Sequence, residues 1–231
     1  MKRIKPYLEN KYLVSNVDKN IFLCNFKNIL TPDKNGINGH YYVSSIYFDT
    51  DSFDFYQDKL EGEFFKVKIR IRRYSLDKKN WSSPKLELKM KIGDRTSKIS
   101  REITNKDVEK LLSVPVSGFE IMKKLDWDSK IPMDFLTKRV FKAINEVIYD
   151  RDAYFFNLVS DFRITFDYRI AMNNLLNNEV AIHKYLSDIN NIFELKTNIK
   201  IPEIFLEWLK NRNLVQEHVS KYSLAVEACN L

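Results

Sequence analysis

Three segments of the sequence place a charged or polar side chain at every second position, with apolar residues between. They span residues 66–72 (KVKIRIR), 85–92 (KLELKMKI) and 161–169 (DFRITFDYR). A period of two is that of a β-strand, whose successive side chains point to opposite faces of a sheet. Each segment therefore predicts a strand with one charged and one apolar face. Arginine and lysine gathered on such a face have the chemistry to bind phosphate oxygens.

The charge balance also points to an anionic partner. The chain holds 38 Lys and Arg against 31 Asp and Glu, for a formal net charge of +7. Cations outnumber acids on the charged faces of the predicted strands, so the positive charge is concentrated there. A basic surface or cavity attracts anions without specifying which one.

Two arrangements of these faces stay open from the residues alone. If the apolar faces pack inward, the cations are solvated and carry no function. If the strands close into a barrel with a polar interior and apolar exterior, helices can cover the outside. Cations in such an interior repel one another unless an anion lies between them. A polyphosphate chain has the matching charge density and shape.

Several classes of protein are excluded. The 231 residues, with 44% hydrophobic content, predict a single globular domain spanning 1–231. Two cysteines and three widely separated histidines fit neither a disulfide framework nor a histidine-based metal or Ser-His-Asp site. Glycine fingerprints of phosphate loops and dinucleotide folds are absent. With no apolar run of membrane-spanning length and no signal peptide, we expect a cytoplasmic protein.

Further elements must position the charged strands. Strands are also predicted at 42–49 and 147–155. Helices are predicted at 17–30, 52–60, 105–112, 131–143 and 202–212, from apolar spacing and from capping and stop signals.

A series of motifs resembles the VTC domain, the catalytic polyphosphate polymerase module of vacuolar transporter chaperone complexes. The motifs are 43–56 (VSSIYFDTDSFDFY), 70–74 (RIRRY), 86–91 (LELKMK), 149–155 (YDRDAYF), 162–167 (FRITFD), 193–196 (FELK) and 220–223 (SKYS). They follow the family's order from about Glu9 to Ser223. VTC domains are triphosphate tunnel metalloenzymes of the CYTH-like superfamily. The resemblance therefore implies an α+β fold, an antiparallel β-barrel with a cation-lined interior and helices packed outside.

The resemblance also implies an activity. An ATP-dependent polyphosphate polymerase transfers the γ-phosphate of ATP to a growing polyphosphate chain and releases ADP. The implied cofactor is Mn²⁺ or Mg²⁺, and the implied partners are ATP, inorganic phosphate, triphosphate and polyphosphate. No specific nucleic acid and no membrane span are expected. The chain is expected to be a stand-alone member, without the phosphate-sensing domain and membrane helices of eukaryotic complexes.

Site residues carry over motif by motif. The resemblance assigns catalytic phosphate contacts to seven basic residues: Lys11, Arg70, Arg72, Lys89, Arg151, Arg163 and Lys221. Further substrate-binding positions are Lys98, Lys68, Lys91, Lys196, Glu87 and Glu9. Glu194 matches the family's metal-binding glutamate. For Glu9 and Glu87 a second role stays open, as salt-bridge partners that hold the tunnel cations in place.

The sequence departs from the family pattern at two positions. Tyr7 stands where the first strand usually has arginine, and His218 where some members have a second lysine. Each change leaves one fewer permanent cation. Two other functions stay open: a triphosphatase on the same fold, acting on inorganic triphosphate or a nucleoside triphosphate, and a non-catalytic polyanion-binding module.

Overall fold

The computed structural model describes residues 6–126, 134–176, 183–184 and 190–229. Its strands are β1 (Tyr7–Ser15), β2 (Leu30–Pro32), β3 (His40–Asp49), β4 (Phe65–Ser75), β5 (Lys85–Ile92), β6 (Arg95–Glu102), β7 (Val116–Ser117), β8 (Val140–Phe156), β9 (Arg163–Asn174), β10 (His183–Lys184) and β11 (Asn190–Thr197). The helices are α1 (Asn16–Phe26), α2 (Asp54–Leu60), α3 (Asn105–Ser113), α4 (Gly118–Lys124), α5 (Asp134–Thr137), α6 (Glu203–Asn211) and α7 (Lys221–Ala228).

Eight antiparallel strands close into a barrel in the order β1, β6, β5, β4, β3, β8, β9, β11 and back to β1. The short strands β2 and β7 pair with β8, and β10 pairs with β9. The seam between β1 and β6 is short, with two paired positions. An α+β fold with an antiparallel barrel is therefore confirmed.

The apolar faces of the strands point outward and the helices cover them. Under α1 and α6, Phe22 lies 5.0 Å from Phe193 and 5.8 Å from Phe205 between ring centroids. On the β4 and β5 side, the buried residues Val67, Ile69, Ile71, Leu86 and Leu88 belong to one core with residues of α3 and α4. Each fully buried side chain of this kind contributes about 1.5–3 kcal/mol. Because the apolar core lies outside the sheet, the charged faces are left to line the interior.

Side-chain caps fix several helix starts. Thr104 and Asp107 form a reciprocal capping box at α3, and the Ser15 hydroxyl accepts a hydrogen bond from the Asp18 backbone N–H at α1. The hydroxyl of Ser220 likewise caps α7. Such caps satisfy backbone donors that the first helical turn leaves free. None of the described helices is long and apolar enough to cross a membrane.

Two predicted helices need correction. The helix predicted at 131–143 is wrong: β8 begins at Val140, and α5 covers only Asp134–Thr137, with 131–133 outside the described residues. Phe141 instead pairs with Val116 of β7. The helix predicted at 17–30 ends at Phe26, because Leu30 begins the short strand β2. The sequence analysis did not predict α4 or α7.

Candidate active site in the barrel interior

The predicted site residues converge inside the barrel. A central cavity of about 100 Å³ is lined by every residue assigned a role from the sequence except Glu87 and Lys91. Glu87 instead contacts two of the lining residues, Arg70 and Lys98. Lys91 lines an adjoining cavity at one mouth. The convergence follows from strand parity, because inward-facing residues of neighbouring strands lie side by side. Arg70, for example, pairs with Tyr47 on β3 and with Glu87 on β5.

Asp167 binds two of the predicted catalytic cations. The Arg151 guanidinium donates to its two carboxylate oxygens at 2.6 and 2.7 Å, and the Lys221 amine lies 2.6 Å away. Burial acts to raise the pKa of Asp167, but Arg151 and Lys221 outweigh it and hold the pKa below its usual range. Asp167 therefore stays ionised and fixes one cation from β8 and one from α7.

Glu87 has the same role on the opposite wall. Nε and a terminal guanidinium nitrogen of Arg70 lie 2.8 and 2.7 Å from one carboxylate oxygen, and the Lys98 amine lies 2.7 Å from the other. Burial acts to raise the pKa of Glu87, yet Arg70, Arg72 and Lys98 hold it below its usual range. Glu87 is thus occupied by two cations, which makes it a poor metal ligand.

Glu9 and Asp33 complete the set of paired carboxylates. Glu9 lies 3.3 Å from the Lys11 amine and also accepts a hydrogen bond from Lys89. Asp33, from the loop before β3, lies 2.7 Å from the guanidinium of Arg163. The geometry of Glu9 and Glu87 is therefore that of the salt-bridge role left open by the sequence.

Three cations of the cavity contact only neutral groups among the described residues. Arg72 donates to the Ser45 hydroxyl at 3.0 Å and to the Tyr149 hydroxyl at 3.1 Å, and Lys68 donates to Ser220 at 2.6 Å. Burial, reinforced by Lys11 and Lys89, lowers the pKa of Lys68 well below its usual value. These cations gain most from a bound anion, because none of them forms an ion pair with a carboxylate in the described ranges.

Lys196 is the third of these cations. Its amine lies 3.7 Å from the centroid of the Tyr7 ring, a cation–π contact. Burial lowers its pKa to about 8, and the repulsion of Lys98 and Lys89 adds to this against the attraction of Glu194. At the position where the family usually has an arginine, this chain thus has the ring of Tyr7, which contacts the neighbouring cation Lys196.

Glu194 differs from the other cavity carboxylates. It lines the central cavity but forms no ion pair or hydrogen bond with any residue in the described ranges. Within those ranges no group of three or more His, Cys, Asp and Glu side chains could hold a metal. Mg²⁺ and Mn²⁺ are commonly bound by one or two carboxylates together with waters and substrate phosphates. One unpaired carboxylate beside a phosphate-sized cavity fits that requirement.

Several residues of the site were not predicted from the sequence. Tyr47, Tyr74, Tyr149 and Thr165 line the central cavity, and Asp167 is bound to two residues that line it, Arg151 and Lys221. The signal was present, since each shares the parity of a predicted cation on its own strand or an adjacent one. Burial raises the pKa of Tyr149 to about 12, against the attraction of Arg151 and Arg72, so its hydroxyl stays protonated as a donor.

Two larger cavities adjoin the central one. The first, of about 660 Å³, is lined by Tyr41, Tyr74 and Trp81 and shares Tyr74 and Arg163 with the central cavity. The second, of about 400 Å³, is lined by six lysines: Lys11, Lys59, Lys66, Lys68, Lys89 and Lys91. It shares Lys68, Lys89 and Ser220 with the centre. The two outer cavities share no lining residue with each other, and each shares at least two with the centre. The three cavities together are called the tunnel below, and the outer two are called its aromatic mouth and its lysine mouth.

Comparison with known proteins agrees with this geometry. The crystal structure of a candidate adenylate cyclase from Vibrio parahaemolyticus is similar, with a TM-score of 0.50 at 16% identity over 96% of this chain and 98% of that one. At this identity the likeness concerns the fold alone. The Schizosaccharomyces pombe Mediator head module matches with a TM-score of 0.45 at 11% identity, over 90% of this chain and 91% of that one, a likeness that supports no argument. A search of curated proteins gave no match.

The family model called VTC domain matches residues 6–230. That range includes every strand and helix described above and all the residues that line the tunnel. The barrel has the triphosphate tunnel fold, and the chain belongs to the VTC domain family.

Proposed function

We propose that this protein is an ATP-dependent polyphosphate polymerase that uses a divalent metal. Membership of the VTC domain family places the chain among phosphate-related enzymes. The observation that carries the finer proposal is the tunnel, in which a cation-lined centre adjoins two unlike mouths. A polymerase needs one opening for the nucleotide and another for the polyanionic product.

The chemistry requires little covalent help from the protein. Phosphoryl transfer depends on aligning donor and acceptor and on neutralising charge on the phosphate oxygens. Arg70 and Arg151, fixed by Glu87 and Asp167, offer guanidinium groups of set orientation. Arg72 and Lys68, which lack carboxylate partners in the described structure, supply charge that an incoming phosphate chain neutralises. A metal held by Glu194 would add charge neutralisation at the transferred phosphate.

The two mouths suggest a direction for the reaction. The aromatic mouth, at about 660 Å³, has the volume to hold a nucleoside, and Tyr41, Tyr74 and Trp81 offer rings that a base could contact. The lysine mouth suits a chain of tetrahedral phosphates, since lysine amines act as movable point charges. ATP would therefore enter by the aromatic mouth, and the growing chain would leave by the lysine mouth.

The test is incubation of the purified protein with ATP and Mn²⁺ or Mg²⁺, followed by sizing of the product on a gel. A polymerase yields ADP and a ladder of polyphosphate. Release of inorganic phosphate without a ladder would assign a triphosphatase. Absence of turnover, with retained triphosphate binding, would leave a polyanion-binding module. Arg72→Met is the matched inactive variant, because the substitution keeps most of the side-chain volume.

A further inference from the structure

We propose that the hydroxyl of Thr165 acts with the carboxylate of Glu194 as a second protein oxygen toward the divalent cation. This inference rests on the metal use in the proposed function. It concerns a residue that neither the strand periodicity nor the motif resemblance assigned to the site.

The position of Thr165 is set by strand register. It lies directly opposite Glu194 in the antiparallel pair of β9 and β11, and Glu194 lies opposite Lys11 on β1. Side chains at directly opposed positions have Cβ atoms about 4.5–5.5 Å apart. Thr165 and Glu194 both line the central cavity. The two oxygen-bearing side chains are therefore close neighbours on the same inner wall.

The hydroxyl of Thr165 is buried and has no partner among the residues that the structure describes. Thr165 is 3% exposed, and its Oγ1 forms no hydrogen bond within those ranges. Buried polar atoms are nearly always hydrogen-bonded, so an exception facing a cavity points to a missing ligand. A hydroxyl has lone pairs that can bind a hard cation directly or through a coordinated water.

The neighbouring charged groups on β9 form their ion pairs and hydrogen bonds with other residues. Two positions away on β9, Arg163 is bound to Asp33 and Tyr41, and Asp167 is bound to Arg151 and Lys221. Asp167 is thus fully engaged, and Arg163 is engaged through a terminal nitrogen, although its Nε has no hydrogen bond within the described ranges. Thr165 and Glu194 place two oxygen-bearing side chains side by side on the wall, with Lys11 opposite Glu194 on the next strand. A divalent cation bound between phosphates needs such oxygen ligands.

The experiment measures Mn²⁺ binding, not turnover. Mn²⁺ is titrated into protein saturated with triphosphate, and free Mn²⁺ is followed by electron paramagnetic resonance. We expect Thr165→Val, which is isosteric but apolar, to weaken Mn²⁺ binding about tenfold or more, the range seen when a supporting ligand is lost. Thr165→Ser restores the oxygen and should bind Mn²⁺ within about threefold of wild type. Triphosphate affinity in the presence of a chelator should stay within about twofold in both variants.

The control is Thr96→Val. Thr96, on β6, is another buried threonine whose hydroxyl has no hydrogen bond with any described residue, and it does not line the central cavity. Thr96→Val should leave Mn²⁺ binding unchanged. Wild-type Mn²⁺ affinity in Thr165→Val, with a cooperative melt, would overturn the inference while leaving the metal itself in place. If Thr165→Val does not fold, equal Mn²⁺ affinity in Thr165→Ala and wild type would overturn it instead. Absence of Mn²⁺ binding to wild type would instead contradict the metal use in the proposed function.

Discussion

The guanidinium of Arg151 forms two hydrogen bonds, at 2.6 and 2.7 Å, with the carboxylate of Asp167, and both side chains are buried inside the barrel. The same carboxylate lies 2.6 Å from the Lys221 amine at the start of α7. One acid thus compensates two cations from separate elements, which would otherwise repel each other in a poorly solvated interior. The tunnel can therefore hold its cations in fixed positions before any phosphate binds.

Removal of this acid should destabilise the empty protein. We expect Asp167→Asn to lower the free energy of unfolding by about 3–5 kcal/mol, because the variant leaves buried charges without their partner. Triphosphate should stabilise the variant more than it stabilises wild type, because the anion supplies the missing negative charge. Denaturant unfolding with and without triphosphate measures both effects. Asp161→Asn, at an exposed position between β8 and β9, is the control and should match wild type.

Arg70 and Arg72 should respond differently to the same substitution. Arg70→Met leaves Glu87 with a single cation and should destabilise the empty protein by roughly 3 kcal/mol. Arg72→Met removes a cation that forms no ion pair with a carboxylate of the described structure, so the melting temperature of the empty protein should be unchanged or higher. Both variants should lose most of the stabilisation by triphosphate. If Arg70→Met and Arg72→Met destabilise the empty protein equally, the ion pair between Arg70 and Glu87 does not have the stabilising role assigned to it.

Glu194→Gln should separate binding from turnover. The change is nearly isosteric, and Glu194 forms no ion pair in the described structure, so the fold should be retained. Metal-dependent turnover should fall by at least about a hundredfold, whereas triphosphate affinity without metal should change little because the cations remain. Calorimetric binding and a turnover assay measure the two effects. Glu203→Gln, on the exposed first turn of α6, is the control. Full activity of Glu194→Gln would assign the metal to another group.

The cation-bearing strands of the tunnel were predicted from the sequence more completely than the residues that hold those cations in place. β4 and β5 were predicted because a strict period of two has one structural interpretation, and strand parity then brought Arg70, Arg72 and Lys89 together. The choice between a polar interior and a polar exterior came from the motif resemblance, because periodicity is the same in both.

The partners of the cations were less accessible to sequence reasoning. Asp33 lies 130 positions before Arg163, in a loop with no strand periodicity, and only the closed barrel brings the two together. The helix predicted at 131–143 failed because apolar residues on a short helix and on the start of β8 combine into a helix-like spacing. Tyr7 was interpreted as a lost cation, since a cation–π contact with Lys196 depends on strand register.

Titration of Lys196 makes the stability of the folded protein depend on pH. Its pKa is about 8 in the folded protein, compared with about 10.4 for a lysine exposed to water. Below pH 8 the Lys196 amine is charged in both the folded protein and the unfolded chain. The free-energy cost of burying that charge then lowers the stability of the folded protein in full. Between pH 8 and about 10 the folded protein releases this proton and the unfolded chain does not, so stability contributed by this group rises with pH. Lys196→Met should therefore be more stable than wild type at pH 7, with an advantage that shrinks by pH 10.

Triphosphate binding should show the opposite dependence, because the anion binds the charged amine. We expect the triphosphate affinity of wild type to fall about tenfold between pH 7 and 9, relative to Lys196→Arg, whose guanidinium stays protonated throughout. Comparison of the two proteins cancels the titration of triphosphate itself and of Lys68, which both share. Calorimetric titration at several pH values measures the ratio of dissociation constants. A ratio that is constant from pH 7 to 9 would show that Lys196 does not contact the bound anion.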